Sequence, residues 1–229
     1  MKNKYLVIAA HPDDDILGCG GTLSKLAKRN LVKIIFLGEG SSCRFKLYSA
    51  NQNLVKKAIN DREKSAKKAL RYLGVKDYDF FNLPCGRLDT VPILEINKII
   101  ENEIKKYTPD TIFTHSENDC NNDHRIIFRS TMMATRPLGK NIVKKIFSFE
   151  ILSSSEWNYT NEFCPNYFEI LNEQNIKSKW KALSFYKSEI QKFPHPRSKE
   201  GIYNLAKLRG SQAGVKFAEA FKLIREFKN

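Results

Sequence analysis

The residues best able to do chemistry stand in one run, "VIAAHPDDDILGCGG" (residues 7–21), where four apolar residues lead straight into a histidine, a proline and three consecutive aspartates. Burying an unpartnered carboxylate is expensive and adjacent carboxylates repel one another, so a cation is the natural compensation. A second run, "HSENDCNNDHR" (115–125), holds two of the chain's four histidines beside further acids. Catalytic zinc takes three N/O ligands and keeps one position open for water. His11, one carboxylate from 13–15 and His124 supply such a set. A surplus aspartate can then accept a proton from the polarised water and return it to a leaving group. Taken alone, His11 reads as a hydrogen-bonded structural histidine and the aspartates as a helix N-cap. The pairing of the two runs favours a metal.

The elements that must position these residues alternate. "KYLVIAA", "VKIIFLGEG", "YDFFNLP", "DTIFTHS" and "VKKIFSFEIL" are short, largely apolar runs of the kind expected for strands covered on both faces. Between them lie helical patterns: "DILGCGGTLSKLAKRN", "NLVKKAINDREKSAKKALRYLGV" closing in Gly74, "VPILEINKIIENEIKKY" with Pro92 near its first turn, and "DHRIIFRSTMMATR". This order predicts an α/β fold, a Rossmann-like, mostly parallel sheet with helices on both faces. After residue 151 the texture changes. "SSSEWNYTNEFCPNYFEIL" reads as loop with one or two strands, and "NIKSKWKALSFYKSEI" and "GVKFAEAFKLIREF" read as helices. With no linker, repeat or low-complexity segment, the expectation is a single domain over 1–229 with a C-terminal elaboration. Ligands of open parallel sheets sit at the carboxyl ends of the strands. "HPDDD", "CGRLDT" and "HSENDCNNDHR" all fall there, so distant stretches of chain converge on one edge.

Composition narrows the partners. The formal charge is +14, but 28 of the 39 basic residues are lysines spread along helical stretches, without an arginine-rich block or a nucleic-acid-binding motif. Nucleic acid is therefore not expected, while an anionic small substrate fits. No apolar run approaches the roughly 20 residues of a membrane span. The short apolar run after the basic start has no cleavage site behind it, so it reads as a strand and the protein as cytoplasmic. Five scattered cysteines, with no CxxC pair, read as free thiols. "GCGG" lacks the spacing of a dinucleotide loop.

"AAHPDDDILGCGGTL" resembles the AHPDDE signature of the PIG-L/LmbE-like zinc-dependent N-deacetylases. The similarity extends to "DREKSAKKALRYLGV", "NLPCGRLDTVP", "THSENDCNNDHRIIF" and the tail "FPHPRSKEGIYNLAKLRGSQAGVKFAEAF". The resemblance implies hydrolysis of the acetamide of an N-acetylated amino sugar or its conjugate, with Zn²⁺ or another divalent ion. It makes His11, Asp14 and His124 the metal ligands and Asp13 the general base on the zinc-activated water. Asp15 stands at the family's Glu position and is expected to orient a ligand. Arg62 and Asp89 match sugar-binding positions, the plain alternative for Arg62 being a surface ion pair with Asp61 or Glu63. Many members have His-x-Asp-His in the second motif; Asn121 replaces the first of these histidines, leaving an amide to donate to the oxyanion. Asp123 is expected to partner His124, or Asp13 and its proton. His115 could reach in from its strand end. His195 is read as structural or at the substrate edge, and Glu219 as a tail or interface contact outside the site. A glycan precursor or sugar nucleotide suits the basic surface. A thiol-cofactor precursor of the bacillithiol type and a non-catalytic basic α/β binding protein are the rival readings, and a homo-oligomer is left open.

Overall fold

The computed structural model describes residues 2–46, 51–138 and 142–228. Side chains alternate across a strand, and the first strand shows the consequence. In β1 (Lys4–Ala9), Val7 and Ala9 join one apolar core while Leu6 and Ile8 join a second on the opposite face of the sheet. The chain continues through α1 (Asp14–Leu26), β2 (Leu31–Gly38), α2 (Gln52–Leu73), β3 (Asp77–Leu83), α3 (Ile93–Tyr107), β4 (Thr111–Thr114), α4 (Asn122–Ala134) and β5 (Lys145–Phe149). It ends with β6 (Tyr167–Leu171), α5 (Glu173–Leu183), α6 (Lys199–Gln212) and β7 (Phe217–Glu226). The seven-stranded sheet runs β3-β2-β1-β4-β5-β7-β6. β1 to β5 are mutually parallel, and β7 pairs antiparallel with both β5 and β6. Residues of α1, α2, α5 and α6 build the first core; Ile96, Ile100 and Ile104 of α3 with Ile126 and Ile127 of α4 build the second.

The mostly parallel α/β fold expected from the sequence is the fold observed. The order of the parallel strands reverses between β1 and β4, the switch point at which such sheets open a crevice beyond their carboxyl ends. Two glycines of "GCGG" have a packing cause: a Cβ on Gly18 would stand 2.5 Å from the Phe149 ring, and one on Gly21 2.5 Å from Leu171. Gly74 closes α2 in the left-handed conformation, at φ +83°.

One expectation is corrected. "GVKFAEAFKLIREF" is not a helix but the long strand β7, with Phe217 to Phe221 all buried between β5 and β6. Its Ala, Glu, Lys and Leu residues favour a helix locally, but the open edge of β5 needs a partner strand, and pairing plus burial override that propensity. The helix of this region is α6, just upstream.

Candidate active site

β1 runs into "HPDDD" at the switch point. α1 begins at Asp14, yet the preceding Asp13, at φ +120°, does not cap it with its side chain. Across the crevice His115 directly follows β4, and the loop after it delivers Asp119 and then α4, whose first turn carries Asp123 and His124. Asn121 caps α4 through its Oδ1, which accepts from the Asp123 N–H at 2.9 Å.

The arrangement brings His11, Asp14 and His124 together, all buried, with one donor atom from each within 4.8 Å of the others. Asp14 Oδ2 lies 3.4 Å from His11 Nδ1 and 3.4 Å from His124 Nε2. Each histidine is backed by a carboxylate on its other nitrogen: His11 Nε2 meets Asp123 Oδ2 at 2.9 Å, and His124 Nδ1 meets Asp119 Oδ1 at 3.1 Å. Such backing fixes the rings and raises their basicity, as in carboxylate–histidine–metal triads. Burial works against charge on both rings. Even so, hydrogen bonds from the His11 ring to Asp123 and Asp14 raise its pKa to about 9, and Asp14 and Asp119 raise that of His124 to about 10. The same histidines hold Asp14 well below the usual carboxylate range in spite of its burial. Two imidazoles and a carboxylate that crowd protons so strongly form a donor set suited to a divalent cation.

Around this trio the structure departs from the sequence-based expectations. Asp123 partners His11, not His124 or Asp13, because its carboxylate turns toward the β3–α3 turn and accepts from Gly86 N (2.6 Å) and Leu88 N (3.1 Å). The partner of His124 is Asp119, held by Ser154 and by Ser155 at 2.8 Å. Asp15 is fully buried and neither carboxylate oxygen has a hydrogen-bond partner among the described residues, so it touches neither histidine there; burial and the neighbouring charge of Asp13 push its pKa up to about 8. His115 stays out of reach of a substrate. Its ring stacks on His124 with centroids 4.0 Å apart and its Nε2 accepts from Ala10 N at 2.8 Å, while burial drops its pKa to about 3.

Arg62 forms no ion pair with Asp61 or Glu63, which face Lys64 and Lys67 on the surface. It is buried, with Nη2 3.0 Å from Asp13 Oδ1, Nε donating to the Pro12 carbonyl at 2.7 Å and Nη1 facing Glu189. A guanidinium so committed has its polar atoms on protein groups, not on a sugar. Asp89 lies exposed in the Leu88–Thr90 turn at the rim, beside a groove shared with Asn122 and Arg129. Asp13 receives a second arginine, Arg197, at 3.0 Å on Oδ2. Burial raises the Asp13 pKa against the pull of both guanidiniums, to about 6. His195 Nδ1 accepts from Arg197 N at 3.1 Å.

Sequence reasoning missed Asp119, Glu189 and Arg197. Asp119 stood inside the second acidic run, and the need of a metal-bound histidine for a carboxylate was the signal that could have singled it out. Glu189 and Arg197 carried no local signal. Cys85 also comes to the rim, where with His11 and Asp123 it forms a second group of donor atoms. There His11 Nε2 is already engaged by Asp123, so the His11–Asp14–His124 set is the better candidate to hold a cation. The Cys85 thiol lies 3.3 Å from Cys43.

A parallel sheet with a buried His–Asp–His donor set and a neighbouring aspartate at its switch point defines an α/β protein with a candidate divalent-metal site. More specifically, the family model described as GlcNAc-PI de-N-acetylase, PIG-L, matches residues 6–135, over half of the sequence, and the chain belongs to that family. It is 28% identical over 192 residues to the uncharacterized deacetylase YaiS of Escherichia coli strain K12, an alignment covering 80% of this chain and 90% of YaiS. The structure is similar to N,N'-diacetylchitobiose deacetylase from Pyrococcus horikoshii, with a TM-score of 0.76, 22% identity and coverage of 97% and 84% of the two chains. It is also similar to GalB, the 4-carboxy-2-hydroxymuconate hydratase of Pseudomonas putida KT2440, with a TM-score of 0.75, 20% identity and coverage of 100% and 99%. At these identities the two structures speak for the fold.

Proposed function

We propose that this protein is a metal-dependent N-deacetylase that removes the acetyl group from an N-acetylated amino sugar or its conjugate. The observation that carries the reading is the buried His11–Asp14–His124 set with Asp13 beside it. Family membership and the likeness to YaiS and the chitobiose deacetylase support it. Because the fold is shared with a hydratase, the residues must argue the reaction.

His11, Asp14 and His124 would hold the cation, Zn²⁺ in the first instance. When bound there it supplies Lewis-acid polarisation of the acetamide carbonyl and of the attacking water. Asp119 and Asp123 hold the two imidazoles in register from behind. Asp13, with a pKa near 6, is unprotonated at neutral pH yet basic enough to take the proton of the water and hand it to the departing amine. Asn121 has its oxygen engaged by the Asp123 N–H and so keeps its amide N–H₂ to donate to the developing oxyanion. Asp89 is placed to meet sugar hydroxyls at the rim. Arg87 and Arg129, near it, have no carboxylate partner among the described residues, which suits an anionic conjugate such as a sugar nucleotide or a glycan precursor. Among the described residues no helix is long and apolar enough to cross a membrane.

The test is elemental analysis of tag-free protein followed by acetate release from N-acetyl amino-sugar conjugates, thiol-cofactor precursors included. About one divalent ion per chain is expected in wild type, lost in His11→Ala. Asp13→Ala should keep the metal and lose activity by about a thousandfold or more. Protein that takes up no metal would overturn the reading in favour of a binding module, and equal turnover in Asp13→Ala would remove the base assignment.

A further inference from the structure

We propose that Arg197, braced by Glu189, is a positioning residue for Asp13, so that the C-terminal part of the chain completes the active site. The inference rests on the reading of Asp13 as the base.

Asp13 occupies a backbone conformation, φ +120°, that a residue with a side chain rarely adopts, so the surroundings must impose it. Its carboxylate makes no hydrogen bond to the N-terminus of α1. Instead it is gripped by two guanidiniums, one on each oxygen: Arg62 Nη2 at 3.0 Å from Oδ1 and Arg197 Nη1 at 3.0 Å from Oδ2. With both oxygens held, the plane of the carboxylate is set, and with it the direction in which a lone pair meets a water.

Each clamp is itself fixed. Arg62 comes from α2 and is tied to the Pro12 carbonyl, next to the residue it holds. Arg197 comes from the segment before α6; its Nε donates to Ser153 Oγ at 2.6 Å, and its own N–H donates to His195. Glu189 joins them: buried, it faces Arg62 and lies 3.1 Å from Arg197 Nη1. Arg44 adds a third cation on the same carboxylate. Two buried acids and two arginines therefore form a closed set in which a shift of either guanidinium takes a charge partner from both Asp13 and Glu189. The planar fork of Arg197 spans Ser153, Glu189 and Asp13 at once; a lysine could satisfy Asp13 but not all three.

Arg197 is only partly buried, so direct contact with substrate is the competing role, and kinetics separate the two. If Arg197 positions Asp13, Arg197→Ala lowers kcat about 10- to 100-fold and leaves KM within about twofold. Metal content stays at the wild-type level and Arg197→Lys recovers most of the lost kcat. A readout independent of turnover is the crystal structure of metal-free Arg197→Ala, in which the Asp13 carboxylate should rotate out of its present plane while His11, Asp14 and His124 stay in place. An unmoved Asp13, a raised KM with intact kcat, or a loss that Arg197→Lys does not restore would each overturn the proposal. If Arg197→Ala does not fold, Arg197→Met, which keeps the length but has no donor, carries the test: wild-type kcat with Asp13 unmoved counts against positioning, and a lowered kcat with a turned carboxylate supports it. Should the wild type release acetate from no substrate, the deacetylase reading falls, and the position of Asp13 in the metal-free variant still decides the role of Arg197.

Discussion

The parallel half of the sheet and the C-terminal third of the chain both serve the buried carboxylates of α1, in different ways. From β1 to β4 the strand ends deliver donor atoms: His11, Asp13, Asp14, Asp119, Asp123 and His124. The C-terminal third delivers most of the compensation. At the rim Glu189 and Arg197 hold Asp13. Lower down, Glu219 of β7 accepts from Gly21 N (2.9 Å), Thr22 N (2.6 Å) and Thr22 Oγ1 (2.7 Å) and pairs with Lys179 of α5 at 2.7 Å. Glu219, expected as a tail or interface contact, is thus an internal tie that fastens the middle of α1 to the antiparallel edge. Glu219 is fully engaged, Asp13 is held only by side chains, and Asp15 has no hydrogen-bond partner among the described residues. The two acids thus differ in kind: Glu219 is tied by backbone donors and a cation, Asp13 by arginine side chains alone.

This contrast can be broken in order of effect. Glu219→Ala strands the Lys179 ammonium in the interior and should cost about 3–5 kcal/mol in urea denaturation, with metal content and kcat of the folded fraction unchanged. A drop in kcat as large as that of the Arg197 variants would erase the distinction between the two ties.

A smaller effect is expected from pH on metal-free protein. His11 and His124 have folded-state pKa values raised from 6.5 to about 9 and about 10, so the stability they contribute is full below 6.5 and is lost as pH rises through those values. The Tm of chelator-treated protein should therefore fall by several degrees between neutral pH and about pH 10, and Zn²⁺ should restore more of it at the alkaline end, where it no longer competes with protons. A Tm that rises over this range would contradict the proton-loaded donor set.

The smallest effect belongs to Asp15. Its pKa is raised from 3.8 to about 8, so its favourable contribution exists only at low pH and disappears as pH climbs through 8. Metal-free Asp15→Asn should gain stability relative to wild type as pH rises across that interval, read as a widening difference in denaturation midpoint. A constant difference would mean that Asp15 has a partner after all.

The apolar strand runs, the helices between them and the arrival of His11, one of the aspartates 13–15 and His124 at one edge were legible in the residues, and the family resemblance singled out Asp14. Period and burial are local properties, and the topology of a parallel sheet then dictates which strand ends meet. Partnership inside the cluster was not legible. Asp123 is adjacent to His124 in sequence yet serves His11, because successive residues of a helix point in different directions. The strand nature of β7 depended on the open edge of β5, and the hold on Asp13 joined residues 184 positions apart. No spacing rule reaches that far: which buried acid meets which cation is settled by packing, where leaving either one alone would cost more than ordering both.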